Sequence, residues 1–298
     1  MLLFLLACQD YQYSAVTADE TWIQGSPGGP VDILWVVDNS CSMSEEQDLL
    51  SEHFGAFASV LSYGGVDFQI GLTTTDVEAT GGTLVGAVLN PDTDSIEAEF
   101  AVQGDQGTTG SREESPLLAA TLVLEADTGL IREGAGLHVI LLTDEDDQSP
   151  DPVSAYVETL RALKAGETVK ISAIAGVPPD GCHSPAADAV VATRIIEAVS
   201  STGGSFHSIC AADYGPVLSS LALGTADMSD FFVLTALPLL VSLEVRVDGV
   251  KMYSRPHDGW TYEAARNAIV FSGAALPRPG QGISAAYREL LGAEDTGS

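Results

Sequence analysis

The run Val31-Asp32-Ile33-Leu34-Trp35-Val36-Val37 is apolar at six of seven positions. A run this short and this continuously apolar is a strand only if both of its faces are covered, as in parallel sheets. Further strands are expected at Phe68 to Thr75, Leu137 to Leu142, Val169 to Ala175 and Gly204 to Ile209. Helix-length segments separate these runs: one opening at Ser44-Glu45-Glu46-Gln47, a short one around Asp94 to Val102, then about Glu114 to Glu125, Pro152 to Ala165 and Ala186 to Ser201. Strands that alternate with helices require crossovers between parallel neighbours. The expected fold class is therefore α/β, a doubly wound and mainly parallel sheet.

The flanks differ in texture. Residues 1–30 contain an apolar start, then a polar stretch ending in Gly25-Ser26-Pro27-Gly28-Gly29-Pro30, and suggest a flexible tether. The large domain is expected over 31–228. Residues 229–298 bring short strand-like runs, Phe231 to Leu234, Leu243 to Val247, Ala268 to Phe271 and Ile283 to Tyr287, with Asp248-Gly249 as a hairpin turn. They suggest a small antiparallel β extension.

Charge narrows the partners. Among 298 residues, 42 Asp and Glu face 12 Lys and Arg, for a net charge of −30. Such a surface repels nucleic acid phosphates and anionic lipid and attracts divalent cations. Neither a Gly-x-Ser-x-Gly elbow nor a P-loop is present, which argues against a hydrolase and against nucleotide binding. The five histidines show no zinc-ligand spacing.

Leu5-Leu6-Ala7-Cys8 resembles a bacterial lipobox, which implies export and acylation of Cys8. The expectation is a protein anchored in the outer membrane by lipid alone. An exporting compartment permits Cys182 to pair with Cys210. Cys41 is then the odd cysteine, expected to be buried and inert rather than reactive.

Three segments carry candidate chemistry. The first strand runs out into Asp38-Asn39-Ser40-Cys41-Ser42, with one carboxylate and two hydroxyls at alternate positions. Gly107-Thr108-Thr109-Gly110 precedes a helix, and Leu142-Thr143-Asp144 closes a buried strand. Open α/β sheets collect ligands beyond the carboxyl ends of their strands, where the strand order reverses. Hard oxygen donors in that place suit Mg²⁺, or Mn²⁺ or Ca²⁺.

In order and spacing these residues resemble the metal ion-dependent adhesion site of the von Willebrand factor A family, over about Val31 to Asp227. The resemblance implies Ser40 and Ser42 as direct ligands, Thr108 as a direct or water-mediated one, and Asp38 and Asp144 acting mostly through water or hydrogen bonds. Thr109 is an alternative to Thr108. It also implies a binding module rather than an enzyme, whose cation takes a carboxylate from a protein or glycoprotein partner. The chain departs from the family pattern at Cys41, where glycine is usual, and at Asp144-Glu145-Asp146-Asp147, where Asp-Gly is common. That acidic run suggests a solvated loop, or a second cation site. Asp76 is expected to cap a strand end, and Glu114 to serve a helix start. A phosphatase of the haloacid dehalogenase type also places an aspartate after an apolar strand, but it needs a second aspartate where this chain has Ser40. The remaining alternative is a scaffold in which the cation only neutralises crowded acids.

Overall fold

The computed structural model describes residues 16–25, 28–80, 82–126, 128–185 and 187–290. The chain first forms β1 (Thr17–Ile23) and then β2 (Val31–Val37), which is buried at every position as its unbroken apolar run requires. There follow α1 (Ser44–Tyr63), β3 (Phe68–Thr74), α2 (Val77–Thr80), β4 (Val85–Leu89), α3 (Ile96–Gly104), α4 (Pro116–Glu125) and β5 (Gly136–Leu142). Next are α5 (Val153–Leu163), β6 (Val169–Ala175), β7 (Cys182–His183), β8 (Asp188–Ala189), α6 (Thr193–Thr202), β9 (Phe206–Ser208) and α7 (Tyr214–Thr225). Strands β10 (Phe231–Val233), β11 (Glu244–Val247), β12 (Val250–Met252), β13 (Trp260–Glu263), β14 (Ala268–Phe271) and β15 (Gly282–Arg288) complete the chain.

Two compact units result, one of Ser26–Met228 and one that combines Met1–Gly25 with Ser229–Ser298. The larger holds a six-stranded sheet in the order β4-β3-β2-β5-β6-β9. All of its pairs are parallel except that of β3 with the edge strand β4. The chain goes from β2 to β3 on one side and later returns to β5 on the other, so the strand order reverses at β2 and opens a crevice there.

Side chains alternate along β2. Leu34 and Val36 join Leu117, Val123, Tyr156, Leu160, Ile195 and Val199 in a core under α4, α5 and α6. Trp35 points to the opposite face, edge-on to Phe57 and Phe100, and Phe54 stacks on Phe100. Each such fully buried side chain contributes roughly 1.5 to 3 kcal/mol. At the amino end of β2, away from the crevice, the buried Asp32 carboxylate accepts hydrogen bonds from Lys164 Nζ and Arg132 Nε, both at 2.7 Å.

The smaller unit corrects the expected tether. Thr17–Ile23 is not free chain: it pairs antiparallel with β15 from Thr17↔Arg288 to Ile23↔Gly282. The sheets β1-β15-β11-β12 and β10-β14-β13 enclose Trp22, Phe232, Val245, Trp260, Phe271 and Tyr287. Asp248-Gly249 turns the β11–β12 hairpin, and both residues adopt positive φ, 48° and 78°, as a tight two-residue hairpin loop requires. The helix expected from Ala186 starts later, at Thr193, because Asp188–Ala189 pairs with Cys182–His183 as the β7–β8 hairpin. Helix α7 and strand β13 have no counterpart in the sequence reading. Cys182 and Cys210 are bonded. Cys8 lies outside the described residues. Among the described residues no helix is long and apolar enough to cross a membrane.

Candidate cation-binding site

Asp38 stands one residue beyond β2, and its N–H donates to the Leu142 carbonyl at 2.9 Å, which keeps it in register with the end of β5. Its carboxylate is fully buried. Oδ1 accepts the Ser40 N–H at 2.7 Å and Oδ2 accepts the Thr143 hydroxyl at 2.6 Å. The loop therefore folds back on itself, and the Ser40 and Ser42 hydroxyl oxygens come within 3.3 Å of each other. Ser42 also lies near the Asp144 carboxylate at the end of β5, and its hydroxyl offsets part of the rise that burial gives that carboxyl. Asp38, Ser40, Ser42 and Asp144 are thus brought together.

The third loop is tied to the same place through the buried Gln47 of α1. Its Nε2 donates to the carbonyls of Asp38 (2.8 Å) and Gly107 (3.0 Å), and its Oε1 accepts the Gln106 N–H at 3.0 Å. The Gly110 N–H donates to the Asn39 carbonyl at 2.8 Å. On that loop Thr108 is half-buried and Thr109 is exposed.

Two acids that sequence reasoning did not place here surround the cluster. Glu114 is not a helix-start residue facing solvent. It is fully buried, its Oε2 accepts the Thr75 hydroxyl, and its Oε1 has no hydrogen-bond partner among the described residues. Burial, with the negative Asp38 next in weight, pushes its carboxyl up to about 8. Glu46 is also buried, with Oε2 unpartnered, and burial pushes it up to about 7. Burial likewise raises Asp38 to about 6, and it raises Asp144. In a sequence such acids look like ordinary first-turn residues, and no local signal sets them apart.

Buried carboxyls held this far above their usual range lack a counter-charge. Asp144 Oδ1 and Asn39 Oδ1 are buried without a partner as well. Carboxylates alone do not make the site: among the described residues no three His, Cys, Asp or Glu side chains close on a point where they could hold a metal ion. The donor set is mixed, with serine hydroxyls between two aspartates, and it fits a hard cation that retains water.

Three other expectations change. Cys41 is exposed rather than buried. The acidic run after Asp144 is not a solvated loop. Asp146 accepts the Arg194 N–H at 2.9 Å at the start of α6. The buried Asp147 accepts Leu117 N–H at 3.1 Å, the Ser149 hydroxyl at 2.6 Å and Arg194 Nε at 2.9 Å. Asp76 accepts the N–H groups of Ala79 (3.1 Å) and Ser111 (3.0 Å), so it caps α2 and fixes the loop that follows Thr108.

No sequence-family model matches the chain, and no curated protein matches it. Solved structures do. The chain is similar to the pilus adhesin SpaC of Lactobacillus rhamnosus GG at 13% identity and a TM-score of 0.50, over 92% of this chain and 42% of the adhesin. A mostly parallel, helix-covered sheet with the Asp38, Thr108 and Asp144 loops at one edge is the architecture that the resemblance implies. The fold is an α/β one with a doubly wound, mainly parallel sheet, shared with that adhesin. Looser similarity to structures of this kind extends to a von Willebrand factor type A protein from Catenulispora acidiphila (15% identity, TM-score 0.43, 95% of this chain and 68% of that one). It extends also to proximal thread matrix protein 1 of the mussel byssus, solved with zinc in its adhesion-site motif (16%, 0.43, 68% and 47%). The chain spans less than half the length of the adhesin.

Proposed function

We propose that the von Willebrand factor A-like unit binds a divalent cation, Mg²⁺ or else Mn²⁺ or Ca²⁺, and through it a carboxylate of a protein or glycoprotein partner. Ser40, Ser42 and Thr108 would hold the ion, with Asp38 and Asp144 beside them. The observation that carries this reading is the Asp144 carboxylate, buried with Oδ1 unpartnered among the described residues, beside a loop whose Ser40 and Ser42 hydroxyls lie 3.3 Å apart. When bound, the ion supplies Lewis acidity that captures an anionic ligand. Asp38 holds the loop shape through Ser40 and Thr143, and Gln47 fastens the Thr108 loop. The reading is of a binding module, and Ser40 stands where a phosphatase of the haloacid dehalogenase type needs its second aspartate, which argues against that reaction.

The same reading takes the protein as exported and lipidated at Cys8, held at the outer membrane by that anchor alone, with neither nucleic acid nor nucleotide as ligand. The test is a pull-down from cell-envelope extract with and without EDTA, using wild type, Ser40→Ala and Asp144→Ala. Capture by wild type that EDTA and both substitutions abolish is the expected result. Equal capture in every condition removes the proposal. Chelation that lowers stability while capture persists leaves the cation a scaffold role only.

A further inference from the structure

After β6 leaves the sheet at Ala175, β7 and β8 pair as a hairpin before α6 begins. Its strands pair only at Cys182↔Ala189 and His183↔Asp188, and so short a ladder has little stability of its own. Two attachments seat it. One is backbone to backbone: the Val190 N–H donates to the carbonyl of Asp144 at 3.0 Å, and the Ala192 N–H donates to the Gly176 carbonyl at 3.1 Å. The Val190 carbonyl lies so close to Gly176 that a Cβ there would stand 1.8 Å from it. The hairpin exit is thus packed against the carboxyl ends of both β5 and β6.

The other attachment is covalent. Cys182 is bonded to Cys210, which follows β9. β9 is laddered to β6 at Ile174↔His207 and Ala175↔Ser208, and the Ile209 N–H donates to the Ala175 carbonyl at 3.0 Å. A continuous route therefore runs from the sheet through Cys210 and Cys182 along the hairpin to the Asp144 peptide.

We propose that the Cys182–Cys210 bond and the Val190 N–H are positioning elements of the cation site, holding the Asp144 peptide so that its carboxylate meets Ser42. This rests on the assignment of Asp144 to the cation made above. Releasing the hairpin lowers cation affinity without dismantling the sheet, because β6 and β9 keep their own ladder. Groups that orient a metal ligand from one step behind typically change affinity by about tenfold or more when removed.

The test is Mn²⁺ binding to the full chain, followed by electron paramagnetic resonance, for wild type, Val190→Pro, Val190→Ile, Cys182→Ser/Cys210→Ser and Ser42→Ala. Val190→Pro deletes the N–H that donates to the Asp144 carbonyl and leaves the disulfide in place. It follows Ala189, a strand residue of the extended kind that precedes proline readily. Val190→Ile restores the donor. The expected result is about tenfold weaker binding and an altered Mn²⁺ spectrum in Val190→Pro and in the double serine variant, with Val190→Ile matching wild type. Should the double variant not fold, Val190→Pro against Val190→Ile decides. Binding lost in Ser42→Ala but unchanged in Val190→Pro overturns this inference alone. Binding indifferent to Ser42→Ala overturns the cation assignment and this inference with it.

Discussion

Replacing Glu114 by glutamine should stabilise the cation-free protein at neutral pH. The Glu114 carboxyl is fully buried, and it is raised from the usual 4.5 to about 8, by burial first and then by Asp38. Between those two values the unfolded chain gives up the proton while the folded chain keeps it. Stability is therefore full below pH 4.5 and is lost as pH climbs through 8. At pH 7 the interval above 4.5 corresponds to on the order of 3 kcal/mol. Glutamine preserves the shape and an acceptor for the Thr75 hydroxyl while removing the ionisation. Urea unfolding in EDTA, followed by tryptophan fluorescence, should place Glu114→Gln above wild type by on the order of 3 kcal/mol at pH 7 and level with it at pH 4. Saturating Mg²⁺ supplies the counter-charge and should close or invert the gap. A variant less stable than wild type at pH 7 in EDTA, or a gap that does not change with pH, refutes the reasoning.

Thr143→Val leaves the buried Asp38 Oδ2 without its hydroxyl donor. It should cost about 1 to 3 kcal/mol in urea unfolding and move the onset of Mg²⁺ binding to higher pH, because a lost hydrogen bond raises the carboxyl further. Lys164→Met strips one of the two cations from fully buried Asp32; about 3 kcal/mol of destabilisation is expected, with Arg132 retained, and Mg²⁺ affinity measured by calorimetry should not change. Cys41→Gly touches an exposed side chain, so stability should stay within about 0.5 kcal/mol. In a Cys8→Ser background a thiol reagent should label the folded, oxidised protein once, and Cys41→Gly should abolish that labelling.

The buried strands are legible because their signal is local. Val31–Val37 and Val169–Ala175 have the bounds that their apolar runs suggest. Strand β1 is not, since its only neighbour, β15, lies more than 250 residues away in the chain and its own pattern alternates weakly. Helix α6 starts later than the sequence suggests because small residues before it mimic a helix start, whereas Asp188–Ala189 is paired with Cys182–His183, which the disulfide ties to Cys210. At the candidate site the aspartates and serines follow from loop spacing. Glu46 and Glu114 do not, because what distinguishes them is burial against other acids, a property of the assembled crevice. The acidic run after Asp144 misled for the same reason: Arg194, the partner that draws Asp147 inward, is 47 residues downstream.

Gln24 has a further consequence. Its amide donates to the Ser229 carbonyl at 2.8 Å and accepts the Ser229 N–H at 3.2 Å. Within the larger unit a Cβ on Gly28 would meet the Asp227 carboxylate at 2.8 Å. Departure and return thus lie side by side in each unit, and about two hundred residues are accommodated as a single long loop would be. Because the cost of closing a loop grows only slowly with its length, the smaller unit tolerates an insert of this size between Gln24 and Ser229.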